Sequence, residues 1–154
     1  MIIIQKDAIT DFRNDYFFLS NFYMCPVAFE GTVYPSSEHA YMASKTDDNR
    51  IREHILSLET AREARNYGQT FALRPHWDDV KYRYMKKVLQ DKFTRNSHLG
   101  KKLIETGSRQ LVEGGTWHDL YYGICNCKQH QGEGKNALGQ ILMEIREELL
   151  VLGS

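Results

Sequence analysis

Glu38 and Lys45 are the residues whose types and spacing most directly suggest chemistry. They stand seven positions apart in the segment SEHAYMASK. At about 100° per residue, a helix places positions 38, 41, 42 and 45 on one face and separates the two charged groups by roughly 10 Å along its axis. A surface ion pair needs a spacing of three or four residues. Because Tyr41 and Met42 between them favour burial, the spacing predicts one wall of a pocket.

Both charged groups suit bond-cleaving chemistry. Glu38 falls in the first helical turn, where the helix dipole favours the ionised carboxylate and partial burial favours the protonated one. A carboxyl group balanced in this way can act as a general acid or base. A desolvated Lys45 can lose its proton and attack a carbonyl or aldehyde carbon. The residues alone leave a second interpretation open, in which Glu38 caps the helix and Lys45 extends into solvent.

Three other stretches offer binding groups. Asn21 and Phe22 follow an aromatic-rich run, and a buried amide needs a partner or a ligand. Trp77 follows Arg-Pro-His at a helix start, where its ring either covers a pocket or fills the core. Lys135 and Asn136 lie in GEGKNALG, where a lysine and helix-end amides can hold an anion such as phosphate. This stretch lacks the Walker A spacing, and an ordinary helix entry explains it equally well.

The cysteines do not predict a metal site. Cys125, Cys127 and His130 form one compact group, with Cys25 far away in sequence. A structural zinc site needs four ligands, usually from two separated pairs. We therefore expect no metal. Three cysteines are also too few for a disulfide framework, which favours the reducing cytoplasm.

These residues need a scaffold of short strands followed by helices. Apolar alternation and turn residues predict strands in MIII, DYFFLSNFY, VAFEGTVY, RQLVEGG and DLYYGICNC, with Glu30-Gly31 turning a hairpin. Capping residues and three- to four-residue periodicity predict helices that begin after Ser36 and at NRIREHILSL, ETAREARNYG, residues 77–94, HLGKKLIETG and NALGQILMEIREELLVL. The predicted fold is α+β, a helix-dominated single domain over residues 1–154 with a small β-sheet.

The composition of the chain argues against two classes of protein, those that bind duplex DNA broadly and those that span a membrane. The chain has 154 residues, with 20 basic and 20 acidic side chains and no net charge. This balance argues against a broad duplex-DNA footprint, which needs clustered positive charge. Apolar runs are too short for a membrane span. We expect a protein that acts in the cytoplasm without a membrane or an obligate protein partner.

Several motifs, taken in order, resemble one family. FLSNFY, YPSSEHAYMASK, HWDDVKYRYMKKVLQDKF, LYYGI and GEGKNALGQILMEIRE are similar to the NADAR superfamily, also called the YbiA-like N-glycosidases. The resemblance extends from about residue 12 to residue 150. It implies the YbiA-like fold and hydrolysis of C–N glycosidic bonds. It also implies a small nucleotide-like substrate, either a phosphoribosylated aminopyrimidine of riboflavin synthesis or ADP-ribosylated guanine, free or within nucleic acid.

The resemblance also implies roles for individual residues. Glu38, Lys45 and Asp119 match catalytic positions. The positions matched to substrate binding are Asn21, Phe22, His39, Trp77, Tyr122, Gly123, Lys135 and Asn136. This chain departs from the family pattern at Tyr122, which replaces a tryptophan, at Met42, which replaces a glutamine, and in ICNC, which replaces Asp-Gly-Gly.

Two other function classes remain to be tested. One is a non-catalytic module that binds ADP-ribose or nucleotides without cleaving them, although such a module does not need three titratable groups. The other is a metal-dependent protein that uses Cys125, Cys127 and His130.

Overall fold

A computed structural model describes residues 2–115 and 119–153 of the chain. The chain divides into two compact units. One comprises Met1–Leu19 and Gly100–Ser154, and the other comprises Ser20–Leu99. We call them the terminal unit and the central unit and describe each by itself.

The central unit begins with a β-hairpin. Strand β1, Met24–Phe29, pairs antiparallel with β2, Thr32–Ser36. Glu30 and Gly31 connect them with φ angles of 46° and 87°. Positive φ at both central residues suits a tight hairpin turn, because its twist matches that of the strands. The hairpin and its turn at Glu30-Gly31 are therefore confirmed.

One short helix lies at the centre of this unit. Helix α1, Ser37–Ser44, contacts both strands, and it also contacts the three helices that follow it: α2, Asn49–Ser57; α3, Ala61–Tyr67; and α4, Trp77–Arg95. All eight residues of α1 are buried. A helix that is surrounded by other elements needs no polar face. The predicted face of residues 38, 41, 42 and 45 is therefore only part of the buried surface of α1.

Helix α5, Ser97–Glu105, leads from the central unit into the terminal one. The terminal unit also contains a 3₁₀ helix, Asn14–Leu19, two-residue strands β3, Gly114–Gly115, and β4, Ile124–Cys125, and helix α6, Ala137–Leu152. Strands β3 and β4 pair in parallel. Leu138, Ile141, Leu142 and Ile145 of α6 are buried, as its periodicity predicts.

Two predicted strands are wrong. Residues 2–4 of the predicted opening strand form no strand, and Ile3 is 86% accessible. The Gln110 side chain accepts from the N–H of Gln5 and donates to the carbonyl of Ile3. The aromatic run DYFFL forms the 3₁₀ helix, in which the adjacent Phe18 and Leu19 are both buried. Alternation along a strand would have buried only one of them. Of the predicted strands RQLVEGG and DLYYGICNC, only two residues each form strands, namely β3 and β4.

The helix-dominated α+β class with small sheets is confirmed. A single domain over residues 1–154 stays a prediction. Among residues 2–115 and 119–153, no helix is long and apolar enough to cross a membrane.

Candidate functional site

The start of α1 positions Glu38 through its neighbours. Ser36 caps the helix by accepting a hydrogen bond from the N–H of His39. The N–H of Glu38 donates to the carbonyl of Asn21 at 3.2 Å, and the Ser37 hydroxyl donates to the side-chain oxygen of Asn21 at 2.8 Å. Glu38 is only 8% exposed. The first turn of α1 is therefore largely buried and fixed by hydrogen bonds, so Glu38 does not lie on a solvent-exposed helix face.

Asn21 and Phe22 flank this helix start differently. Asn21 is buried, and its amide nitrogen also lies 3.5 Å from the sulfur of Met85 on α4. Its side chain thus joins the first turn of α1 to α4. Phe22 is half-buried, and its N–H donates to the hydroxyl of Ser20. Asn21 supports the backbone of Glu38, and contact of either residue with a ligand stays a prediction.

His39 is fully buried beside Glu38. Its Nδ1 lies 2.6 Å from the Ser36 hydroxyl, and its Nε2 lies 2.9 Å from the carbonyl of Leu58. Burial lowers the pKa of the imidazole, and the Leu58 carbonyl raises it by less. With both ring nitrogens bonded inside the protein, His39 joins the start of α1 to the residue after α2. Its predicted role in substrate binding stays untested.

Lys45 lies at the C-terminal end of α1 and is half-buried. Burial lowers the pKa of its ammonium group, Glu38 opposes this shift, and Arg65 and Lys81 reinforce it. The ammonium nitrogen lies 5.8 Å from the centre of the Tyr41 ring. Glu38 and Lys45 therefore interact electrostatically from the two ends of one buried helix, in a neighbourhood with further positive charge.

Two arginines that sequence analysis missed hold this end of α1. Arg52 donates to the carbonyls of Ala43 and Thr46. Arg74 donates to the carbonyls of Ser44 and Thr46 through its guanidinium, and to that of Lys45 through its backbone N–H. Cations at a helix C-terminus satisfy its last carbonyls and oppose its dipole. No local motif marks these arginines, because they reach α1 from later segments.

Aromatic rings connect α1 to α4. The Trp77 ring stacks on Tyr84 with centroids 5.9 Å apart, and it lies 5.6 Å from the Tyr41 ring. Arg74 lies over Tyr84 and donates to its hydroxyl at 2.9 Å. Trp77 is 8% exposed. The Tyr41–Trp77–Tyr84 cluster thus packs Trp77 into the core of the central unit, beside the ring that Lys45 contacts.

In the terminal unit, Asp119 organises the turn that carries Tyr122 and Gly123. One carboxylate oxygen accepts hydrogen bonds from the N–H groups of Tyr121 and Tyr122 at 3.0 and 2.9 Å. Tyr122 is half-buried, with its ring 4.6 Å from that of Tyr121. A Cβ on Gly123 would lie 2.6 Å from the carbonyl oxygen of Glu113, so only glycine fits there. Asp119 itself is exposed.

The backbone amides at the start of α6 fit an ordinary helix entry better than a phosphate cradle. The N–H groups of residues 135–138 donate to the carbonyls of residues 120–123. These amides are therefore occupied and do not face an anion. Lys135 is exposed, with its ammonium 5.9 Å from the Tyr121 ring centre, and its contact with phosphate stays a prediction.

Asn136 is buried, and both ends of its amide bond the backbone. Its oxygen accepts from the N–H of Glu113, and its nitrogen donates to the carbonyl of Leu111, each at 2.9 Å. The side chain therefore ties residues 111–113 to the entrance of α6. Its predicted ligand contact also stays untested.

The candidate residues form two groups. In the central unit the structure brings together Glu38, Lys45, Trp77, Asn21, Phe22 and His39 around α1. In the terminal unit, pairing of residues 120–123 with residues 135–138 brings together Asp119, Tyr122, Gly123, Lys135 and Asn136.

Comparison with known proteins gives consistent results. The NADAR domain model matches residues 9–150. N-glycosidase YbiA of Escherichia coli K12 is 35% identical over 153 residues, which cover 96% of this chain and 92% of that protein. The NMR structure of E. coli YbiA matches with a TM-score of 0.80 and 34% identity, over 97% of this chain and 89% of that one.

A longer relative also matches. A riboflavin biosynthesis protein of Vibrio vulnificus is 38% identical over 134 residues, or 86% of this chain. This chain spans 35% of that protein's length. A chloroplastic riboflavin biosynthesis protein of Zea mays is 32% identical over 130 residues, and the chain spans 20% of its length.

Proposed function

Because this chain belongs to the NADAR family, we propose that it is an N-glycosidase that hydrolyses the C–N glycosidic bond of a nucleotide-like substrate. The observation that carries the proposal is the pairing of a largely buried carboxyl group, Glu38, with Lys45 on one central helix. A matched relative that this chain covers almost completely is named an N-glycosidase.

Glu38 is the proposed catalytic carboxylate. Cleavage of an N-glycoside builds positive charge on the anomeric carbon of the sugar, and a preorganised carboxylate stabilises that charge. The C–N bond breaks as the base leaves with a proton, and water then adds to this carbon and loses a proton. The hydrogen bonds of Asn21 and Ser36 at the first turn of α1 hold the Glu38 backbone, so little reorganisation is needed during the reaction.

Lys45 has two possible roles, and its environment suits both. As an ammonium it stabilises negative charge on the substrate. As a neutral amine it attacks the anomeric carbon, opens the sugar ring and forms a Schiff base while the base departs; water later hydrolyses the imine. Burial and the charges of Arg65 and Lys81 lower its pKa, which increases the neutral fraction at a given pH.

Asp119 is proposed as the second acidic group, which activates water or protonates the leaving nitrogen. Trp77 and the nearby tyrosines are proposed to contact the base, and Lys135 the phosphate. Positive charge from Lys45, Arg65 and Lys81 favours a substrate that carries phosphate. Two substrate classes fit, a phosphoribosylated aminopyrimidine and ADP-ribosylated guanine, and the names of the riboflavin biosynthesis relatives favour the first.

The test is to incubate the purified protein with each substrate class and identify the released base by mass spectrometry. From the first class we expect free aminopyrimidine and its sugar phosphate, and from the second we expect ADP-ribose and unmodified guanine. Calorimetry on the same samples separates catalysis from recognition. Tight binding of ADP-ribose with no released base from either substrate would replace the proposal with a non-catalytic binding module.

A further inference from the structure

Three potential metal ligands converge on the loop that follows β4. The Sγ atoms of Cys125 and Cys127 lie 3.0 Å apart, and the Cys127 Sγ lies 3.1 Å from Nδ1 of His130. All three ligand atoms lie within 4.8 Å of one another. Over residues 2–115 and 119–153, this is the one group of three or more cysteine, histidine or acidic side chains that converges in this way.

We propose that Cys125, Cys127 and His130 bind a zinc ion. Two thiolates and an imidazole form a soft to borderline donor set, which suits Zn²⁺ and does not suit Mg²⁺ or Ca²⁺. Tetrahedral zinc with ordinary bond lengths places two sulfur ligands about 3.8 Å apart, and sulfur and nitrogen ligands about 3.6 Å apart. The separations of 3.0 and 3.1 Å have to widen by less than about 1 Å to reach these values. The separation between Cys125 and His130, which is within 4.8 Å, has to approach the sulfur–nitrogen value.

The backbone of the loop already holds the ligands in place. Cys125 pairs with Gly115 of β3 on one side and forms a bridge to Glu133 on the other. The N–H of Gln131 donates to the carbonyl of Cys127 at 2.9 Å, which closes a turn around Cys127 and His130. The N–H of Glu133 donates to the carbonyl of His130 at 3.0 Å. The loop thus presents all three side chains before any ion binds, which lowers the entropy cost of binding.

The expectation of no metal rested on the need for four ligands in two separated pairs. Three protein ligands also suffice when the fourth position is open to water or another small ligand. Each thiol loses its proton on binding. The zinc ion would link Cys127 and His130 of the loop to Cys125 in β4. Cys125 lies two residues after Gly123. This site would exist whether or not the chain cleaves N-glycosides, so failure of one proposal does not affect the other.

Cobalt binding tests the site directly. Protein purified under reducing conditions and freed of metal by a chelator is titrated with Co²⁺, and the thiolate-to-cobalt charge-transfer band is followed. Zn²⁺ is then added to displace the cobalt, and bound zinc is measured by mass spectrometry. We expect one zinc ion per chain and a higher midpoint of thermal unfolding with zinc, because a ligand of the folded state stabilises it.

Matched variants locate the ion. Cys127→Ser removes one thiolate and should weaken the charge-transfer band and lower zinc affinity by at least about tenfold. His130→Gln should leave the band but lower affinity by a similar factor. Cys25→Ser, which removes a cysteine of the central unit, should bind zinc as the unmodified protein does. Should Cys127→Ser fail to fold by circular dichroism, His130→Gln decides the question alone.

Two results would overturn the zinc site. One is the absence of stoichiometric zinc in the fully reduced protein, in which both thiols are available as ligands. The other is unchanged affinity in the folded His130→Gln variant.

Discussion

Glu38 raises the pKa of the Lys45 ammonium from the other end of α1, although burial lowers that pKa by more. The two groups are therefore coupled through one buried helix. The carboxylate favours the protonated amine, whereas desolvation, Arg65 and Lys81 favour the neutral amine. A substrate that neutralises or displaces Glu38 would shift Lys45 further towards the neutral form. This coupling sets the expectations for both residues.

Variants of Lys45 distinguish its charge from its nucleophilicity. Lys45→Arg keeps a cation but cannot form a Schiff base, whereas Lys45→Ala removes both properties. If the amine attacks the sugar, both variants should lose roughly 100-fold or more in kcat, and borohydride should trap a sugar adduct on the unmodified enzyme only. If Lys45 acts only through its charge, Lys45→Arg should retain most activity and no adduct should form. Full activity in Lys45→Ala would exclude Lys45 from the mechanism.

Asp119 offers a matched pair of substitutions. Its Oδ1 accepts hydrogen bonds from two backbone N–H groups. Asn keeps that acceptor and removes the charge, whereas Ala removes both. We expect Asp119→Asn to fold with near-normal stability and to lose roughly 100-fold in kcat. Asp119→Ala should also lower the free energy of unfolding, by about 0.5 to 1.5 kcal/mol, because both hydrogen bonds are exposed.

The measurements for this pair are steady-state kinetics and urea unfolding. An Asp119→Asn variant with full activity would leave Asp119 as a turn-forming residue without a catalytic role.

Arg74 is expected to position Lys45 by bonding the backbone carbonyls at the end of α1. Its guanidinium bonds the carbonyls of Ser44 and Thr46, and its N–H bonds that of Lys45. Arg74→Ala removes the guanidinium donor of the Ser44 carbonyl, whereas Arg52 still bonds the Thr46 carbonyl and the backbone N–H of residue 74 still bonds that of Lys45. It should lower the free energy of unfolding by roughly 1 to 3 kcal/mol. It should also reduce kcat more than it raises KM.

Arg50→Ala, which removes an exposed arginine of α2, is the control and should change neither quantity. Equal effects of the two substitutions on urea unfolding and kinetics would contradict the positioning role of Arg74.

The lowered pKa of Lys92 predicts how the free energy of unfolding depends on pH. This lysine of α4 is fully buried, donates to the carbonyl of Ser20 and lies near Cys25. Burial lowers its pKa from 10.5 to about 8, and Cys25 opposes the shift. Between those two values the unfolded chain holds a proton that the folded chain has released. The contribution of Lys92 to stability therefore rises with pH across that window.

The check is urea unfolding of the unmodified protein and Lys92→Met at several pH values in that window. The difference in unfolding free energy between them should increase with pH. Lys87→Met, at an exposed lysine of the same helix, is the matched control with which the slope for Lys92→Met is compared. A flat difference for Lys92→Met would contradict the lowered pKa.

Local chemistry made part of this fold predictable. The Glu30-Gly31 turn, the Ser36 cap and the period of α4 depend on neighbouring residues, and each appears where the sequence indicates. Residues 2–4 lack a strand partner among the residues that the structure describes, and no local pattern in the sequence reveals this. Strands need partners from elsewhere in the chain, whereas helices satisfy their hydrogen bonds internally.

The candidate site shows the same division. The spacing of Glu38 and Lys45 on one helix follows from helical geometry, and their electrostatic coupling agrees with it. The two arginines that hold the end of α1 could not be predicted, because Arg52 and Arg74 arrive through tertiary packing. The sequence predicts that Asn136 contacts a ligand, and that contact stays a prediction; the structure shows its amide bonding the backbone at Leu111 and Glu113. The sequence pattern identifies a buried polar residue, but it does not show which group that residue bonds.

The proposed catalytic role of Glu38 is tested most directly by the rate of base release from Glu38→Gln. This change keeps the side-chain shape and removes the carboxylate, and Glu53→Gln, at an exposed glutamate of α2, serves as its control. With the substrate that the unmodified enzyme cleaves, we predict a loss of roughly 100-fold to 10,000-fold in kcat for Glu38→Gln. Its circular dichroism should stay unchanged, and Glu53→Gln should keep full activity. A folded Glu38→Gln variant that releases free base at the rate of the unmodified enzyme would contradict the central claim.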